Sequence, residues 1–275
     1  MTETESPGLY VVATPIGNLG DLSERAIRVL KIAQIVAAED TRTSGFLVKR
    51  AGGQGKMVSL TEHNVDARTP GLLEAAETRI VALVSDAGTP VIADPGARLI
   101  EAAHRAGVRV LPIPGPSALA AAISVSGFEG SDVHFLGFLP KGRGERVARL
   151  TSAAAGAGVL VFFESPHRLK ATLAELAEHL ANPEVVVCRE LTKLHEEVVR
   201  GRADELAERF DTVRGECTVV VRCARQSAPA GSPIDATALL DAMKRAGAKR
   251  SNAATEVARL TGAKRDELYA HWDAL

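Results

Sequence analysis

From Leu9 to about Ala224 the chain alternates short apolar runs with amphipathic segments. That order implies βα units built on a largely parallel sheet. Strands are expected near 8–13, 34–38, 57–60, 79–85 and 108–113, with helices near 22–32, 42–50, 70–78 and 96–106. Asp21 followed by Glu24 marks a helix start, Pro70 a first-turn proline and Gly107 a helix stop. Together these elements predict a first α/β domain over residues 1–113.

Beyond the Pro112–Pro116 hinge the pattern changes. An alanine-rich helix near 116–126 precedes strands near 132–139, 158–163, 184–191, 195–200 and 215–223, with helices near 143–154, 166–181 and 203–210. Val185-Val186-Val187-Cys188 and Glu197-Val198-Val199-Arg200 are too close for a helical crossover, so they predict an antiparallel hairpin on a mixed sheet. A second α/β domain over 114–224 follows. Residues 224–233 lack large apolar side chains and read as a linker to a small domain at 234–275. Its three helical patterns, Ile234–Ala246, Asn252–Leu260 and Lys264–Trp272, suit a helix-turn-helix-like unit or a plain helical cap. The fold class is thus α/β, with two α/β domains and a helical tail.

Composition narrows the class. The 275 residues are 46% hydrophobic and 24% charged, as in a globular protein with a substantial core. A net charge of −1 leaves any polyanionic partner to a local basic patch. Cys188, Cys217 and Cys223 lack metal-type spacing and are expected as reduced core residues, so no metal is predicted. The polar, acidic start is unlike a signal sequence and no apolar run reaches membrane-spanning length, so a cytoplasmic location is expected.

Three loops carry the chemistry. Pro15-Ile16-Gly17-Asn18-Leu19-Gly20, Ser85-Asp86-Ala87-Gly88-Thr89-Pro90 running on to Asp94-Pro95-Gly96, and Pro112-Ile113-Pro114-Gly115-Pro116-Ser117-Ala118 each follow a predicted strand. Open α/β sheets bind ligands at those carboxyl ends. Glycine lets backbone approach a ligand, and proline limits the ordering entropy lost on binding. No P-loop occurs, and the nearest G-x-G-x-x-G, from Gly137 to Gly144, is interrupted by Pro140. Prolines, small residues and Asp86 suit a cofactor without phosphate, whose hydroxyls and ring edges pair with backbone groups, Ser117 and Asp86.

Val12-Ala13-Thr14-Pro15-Ile16-Gly17-Asn18-Leu19, Ala38-Glu39-Asp40-Thr41-Arg42, the Ser85–Pro90 and Asp94–Gly96 segments, Pro114-Gly115-Pro116-Ser117-Ala118, Phe162-Phe163-Glu164-Ser165-Pro166-His167-Arg168, Arg189-Glu190-Leu191-Thr192-Lys193, His195-Glu196-Glu197 and Gly215-Glu216 recur in order. Over nearly the whole chain this set resembles the small-subunit ribosomal RNA methyltransferase I family, within the tetrapyrrole-methylase-like superfamily of S-adenosylmethionine enzymes. The resemblance implies 2′-O-methylation of a decoding-centre cytidine in 16S ribosomal RNA, a cofactor held between two α/β domains, and a homodimer. It implies cofactor contacts at Asp86, Gly88, Thr89, Ser117, Ala118 and Phe163, and at Pro15, Leu191 and Thr218. A tetrapyrrole-precursor methyltransferase and a nucleic-acid-binding ligand sensor are the competing readings.

A sulfonium methyl is already electrophilic, so such an enzyme must align the attacking oxygen and handle one proton. A ribose hydroxyl is a poor acid and calls for a nearby base or cation. Glu164, Lys193 and His195 are the favoured candidates, with Glu196, Asp40 and Arg42 beside them. Glu39-Asp40-Thr41-Arg42 reads equally as a helix-capping cluster with an internal ion pair. For RNA, Lys141, Arg143, Arg146 and Arg168, with Arg42, supply local positive charge.

Overall fold

The computed structural model describes residues 5–211, 213–223 and 235–274. Two compact units, Met1–Ala224 and Arg225–Leu275, divide the chain. In the first, β1 (Gly8–Val12), β2 (Ile35–Ala38), β3 (Lys56–Ser59), β4 (Ile80–Val84) and β5 (Val110–Ile113) form a parallel sheet in the order β3-β2-β4-β1-β5. β4 is buried along its whole length because helices cover both faces. Ile80, Ala82 and Val84 pack with α1 (Glu24–Ile32) and α2 (Thr41–Arg50), whereas Val81 and Leu83 pack with α3 (Val65–Thr78) and α4 (Ala97–Arg105). The period-two alternation of a strand produces this split.

A second sheet has the order β6-β7-β10-β8-β9, from β6 (Val133–Phe138), β7 (Val159–Glu164), β8 (Glu184–Arg189), β9 (Glu197–Arg202) and β10 (Cys217–Arg222). β6 and β7 are parallel and the remaining pairs antiparallel, so the β8–β9 hairpin and the mixed sheet are as expected. Leu160 and Phe162 of β7 face one core with α7 (Pro166–His179) and α8 (Ala203–Arg209), behind α6 (Arg143–Ala154). Val159 and Val161 face the other core, with α5 (Ala118–Ser126). All three cysteines lie inside, and burial pushes Cys188 up to about 12 and Cys217 and Cys223 to about 11, so none is a nucleophile.

Helix starts differ from expectation at two places. Ser23, not Asp21, caps α1 by accepting a hydrogen bond from the Ala26 amide at 3.2 Å. α3 begins at Val65, which places Pro70 inside the helix. Val65 is buried and anchors the extra turn. The Asn64 side chain also accepts from the Thr61 amide at 2.8 Å and donates to the Ser59 carbonyl at 3.2 Å. These contacts offset the amide that proline lacks. Gly107 ends α4 with φ +70, as expected of a helix stop.

In the second unit, α9 (Ala236–Arg245), α10 (Arg250–Thr261) and α11 (Arg265–Ala274) enclose Leu240, Ala253, Ala254, Val257 and Leu268. Asp235 caps α9 by accepting from the Thr237 and Ala238 amides. The expected linker, residues 224–233, and Ile234 lie outside the described residues.

Candidate active site

Because β1 sits between β4 and β5, the loops leaving these three strands are neighbours, and side chains bind them together. Thr14 and Gly88 exchange backbone hydrogen bonds of 2.8 and 3.0 Å. The Thr14 hydroxyl donates to the Ser85 carbonyl at 3.0 Å, Ser85 Oγ to the Gly88 carbonyl at 2.7 Å, and Thr89 Oγ1 to the Pro116 carbonyl at 3.0 Å. Gly88 has φ +85, a conformation that side chains resist, and a Cβ there would lie 3.2 Å from Ile16 Cγ2. The three loops therefore form one preorganised edge.

That edge borders a cavity of about 460 Å³ lined by Asp86, Gly88, Thr89, Ser117, Ala118, Phe163 and Thr218, seven of the nine residues expected to contact the cofactor. Phe163 is held edge-on between Phe135 and Phe138, at ring distances of 5.1 and 5.4 Å. Pro15 lines a smaller neighbouring cavity instead. Leu191 packs against the Val186 and Cys188 core rather than on either cavity lining.

The proton-handling candidates are separated by their surroundings. Glu164 is 2% exposed, and its carboxylate accepts from the Ser165 amide at 2.8 Å, Arg168 Nε at 2.7 Å and Thr172 Oγ1 at 2.8 Å. Held by these three donors, it braces the Arg168 segment, and it also lines the larger cavity. Burial draws the Lys193 ammonium down, but Glu190 and Glu216, each 2.8 Å from Nζ, outweigh this and hold its pKa above the ordinary value. Lys193 is therefore a cation, not a base, near neutral pH. His195 is exposed and borders neither cavity. Asp40 caps α2 and pairs with Arg42 at 2.8 Å, which lowers its pKa to about 2.

Asp94 is the group that sequence reading left without a role. It lines the larger cavity, and no hydrogen bond or ion pair reaches its side chain among the described residues. Burial, with the charges of Glu39 and Asp86 behind it, raises its pKa from 3.8 to about 6. Val91 and Ala93, just before it, hold φ of 74 and 68, values that such residues rarely adopt. Its place in the loop was visible in the sequence, but its carboxylate neighbours come from 8 and 55 residues away.

Two of the expected RNA contacts face inward. Arg146 is 6% exposed, forms bonds of 2.6 and 2.7 Å to Glu175, and donates to the Pro140 and Lys141 carbonyls. Arg168 pairs with Glu164 and donates to the Leu139 and Pro140 carbonyls. Both brace the protein, so neither is free for phosphate. Lys141 and Arg42 are exposed, as is Arg143, which pairs with Glu178 at 3.0 Å. Among the described residues no cluster of His, Cys, Asp or Glu suits a metal, and no helix is long and apolar enough to cross a membrane.

Residues 8–207 match the model of the tetrapyrrole (corrin/porphyrin) methylases. A protein of Mesorhizobium japonicum named ribosomal RNA small subunit methyltransferase I is 43% identical, over 96% of this chain and 90% of its own length. A protein of the same name from Neisseria meningitidis serogroup B is 40% identical, over 95% and 91%. Among solved structures, uroporphyrin-III C-methyltransferase of Thermus thermophilus, complexed with S-adenosylhomocysteine, superposes with a TM-score of 0.57 at 22% identity, over 78% of this chain and 97% of that one. Diphthine synthase superposes with a TM-score of 0.59 at 18% identity, over 78% and 89%. These likenesses show the shared fold, and the match over residues 8–207 with relatives at 40–43% identity shows more: the chain belongs to the tetrapyrrole methylase family of S-adenosylmethionine-dependent methyltransferases, in its ribosomal RNA small subunit methyltransferase I branch.

Proposed function

We propose that this protein methylates the ribose 2′-hydroxyl of a cytidine in the decoding centre of 16S ribosomal RNA, in the small ribosomal subunit, working as a cytoplasmic homodimer. The names of its relatives support ribosomal RNA as substrate. The observation that carries the chemistry is an unpartnered, half-buried carboxylate, Asp94, in the wall of the cavity that suits the cofactor.

The cavity fits S-adenosylmethionine on its own features. Gly88 and Ala118 leave room beside the backbone, Phe163 offers an apolar ring, and Ser117 and Thr218 add hydroxyls. When bound, S-adenosylmethionine supplies an electrophilic sulfonium methyl. Asp94 takes the 2′-hydroxyl proton as the oxygen attacks, because a carboxylate near pKa 6 is ionised at neutral pH yet more basic than an exposed one. The Lys193 ammonium, paired with Glu190 and Glu216, positions the Glu216 carboxylate on the wall of both cavities. Arg42, Lys141 and Arg143 meet phosphates, which leaves Arg146 and Arg168 to structural work.

Small subunits from a strain lacking this protein, incubated with it and labelled S-adenosylmethionine, test the reading. The expected product is one 2′-O-methylated cytidine, seen as a gap in the alkaline hydrolysis ladder of 16S RNA. Label on a base, or none in RNA, refutes it.

A further inference from the structure

Beside the cofactor cavity lies a second one of about 290 Å³, bounded by the Pro15–Leu19 loop, by Thr43, Ser44 and Phe46 of α2, and by Lys193. The two share Ile16, Asp86, Ala87 and Glu216, so they meet along a common wall. A group seated in one can present an atom to a group seated in the other.

Three observations show that this cavity is prepared for a ligand. Phe46 lines it while remaining 61% exposed, although its neighbours Leu47 and Val48 are buried in the core. Ser44 is 2% exposed, borders the cavity, and its Oγ has no hydrogen-bond partner, an arrangement that ordinarily costs stability unless something fills it. Lys193 is brought to the wall by a loop in which Glu190 and Thr192 hold φ of 52 and 67. That loop closes on Gly17, where a Cβ would lie 2.4 Å from Lys193 Cγ and 2.9 Å from Thr192 Oγ1. The close approach needs glycine.

We propose that this second cavity seats the acceptor nucleotide, unstacked from its RNA, with the base lying on Phe46 and the ribose directed to the wall shared with the cofactor cavity. The inference rests on the ribosomal RNA reading above and names its nucleotide subsite. Size favours a single nucleotide, since about 290 Å³ stands at the small end of ligand pockets, roughly 300–1,000 Å³, and a tetrapyrrole macrocycle is far larger than one base. Arg42 precedes Phe46 by one helical turn, and its side chain is 90% exposed. An arginine and an open aromatic ring on one helix face can hold a phosphate and the base attached to it. Lys193 is already flanked by two carboxylates and is poorly placed for phosphate. The carboxylates that line the cavity instead suit donors: Glu216 and Asp86 retain lone pairs for ribose hydroxyls or the exocyclic amine of cytosine. The unpartnered Ser44 hydroxyl supplies a further contact.

Phe46→Ala, Phe46→Trp and Ser44→Ala variants test the subsite. Loss of a stacking ring should raise the KM for small subunits about tenfold with kcat nearly unchanged, while calorimetric affinity for S-adenosylhomocysteine stays at the wild-type value. Phe46→Trp should restore KM. In a Trp272→Phe background, its emission should be quenched by a short cytidine-containing oligoribonucleotide and not by S-adenosylhomocysteine. Ser44→Ala should weaken RNA binding without lowering thermal stability, because the lost hydroxyl bonds to nothing in the free protein. A wild-type KM in Phe46→Ala, an equal loss of cofactor affinity, or an unquenched Phe46→Trp overturns the subsite. Failure of the wild-type protein to methylate ribosomal RNA overturns the function proposed above, and the quenching measurement still judges the subsite without any turnover.

Discussion

Replacing Asp94 with asparagine should move activity and stability in opposite directions. The substitution keeps shape and removes the ionisable group. In the folded protein the carboxyl titrates near 6, against 3.8 without its surroundings, so its ionised form opposes folding. That opposition is complete above pH 6, shrinks as the pH falls toward 3.8, and is gone below it. A shift of this size corresponds to about 3 kcal/mol, but solvent screening at a half-buried site reduces it to about 1 kcal/mol. Asp94→Asn should therefore melt about 2–4 °C above wild type at pH 8, with the difference vanishing near pH 4. Single-turnover methylation should fall about 10²–10⁴-fold at pH 7, the ordinary contribution of a general base. The wild-type rate should decline below pH 6, and the variant should lose that limb while binding S-adenosylhomocysteine normally. A variant that keeps the limb, or loses less than about tenfold in rate, refutes Asp94 as the base.

Arg146→Ala leaves the buried Glu175 carboxylate with Arg143 alone, 3.7 Å away, and should destabilise the protein by about 3 kcal/mol in urea denaturation, with no change in the salt dependence of RNA binding by the folded fraction. Gly88→Val forces a branched residue into φ +85 and presses on Ile16, so calorimetry should show weakened S-adenosylhomocysteine binding in a folded protein; unchanged affinity would move the cofactor elsewhere. Truncation before Asp235 should leave a cooperatively melting body that binds S-adenosylhomocysteine as the full chain does, because residues 8–223 contain their own cores.

The fold was legible because it follows local rules. β4 reads as an unbroken apolar run since both of its faces are covered, and the β8–β9 spacing leaves no room for a crossover. The loops that line the larger cavity were legible for the same reason, as glycine and proline mark the positions where backbone geometry is special. The side-chain roles depended on partners distant in sequence. Arg146 stands in a basic stretch, but Glu175 waits on another helix, 29 residues away. Asp94 shows nothing unusual until Glu39 and Asp86 stand behind it. Phe46 did leave a trace, being an apolar residue beside the stripe of Leu47 and Val48 that a buried face requires.

Glu164 shows why a strong motif misdirects a catalytic assignment. A carboxylate at a strand end beside an expected cofactor contact has the position expected of a base, yet Glu164 is buried and held in place by the Ser165 amide, Arg168 and Thr172, all of which donate to it. The motif is spent on architecture. Arg168, fixed by Glu164, grips the Leu139 and Pro140 carbonyls, and so holds the end of β6 beside β7. Phe138 leads into that segment and Phe163 immediately precedes Glu164, and their rings meet at 5.4 Å in the cavity wall. The pair therefore shapes one wall of the cavity, where a cofactor ring would rest under the proposed function, while the Asp94 carboxylate in the same cavity has no partner among the described residues. Under the proposed function proton transfer falls to Asp94, a cavity carboxylate that burial makes more basic and that no hydrogen bond or ion pair reaches among the described residues.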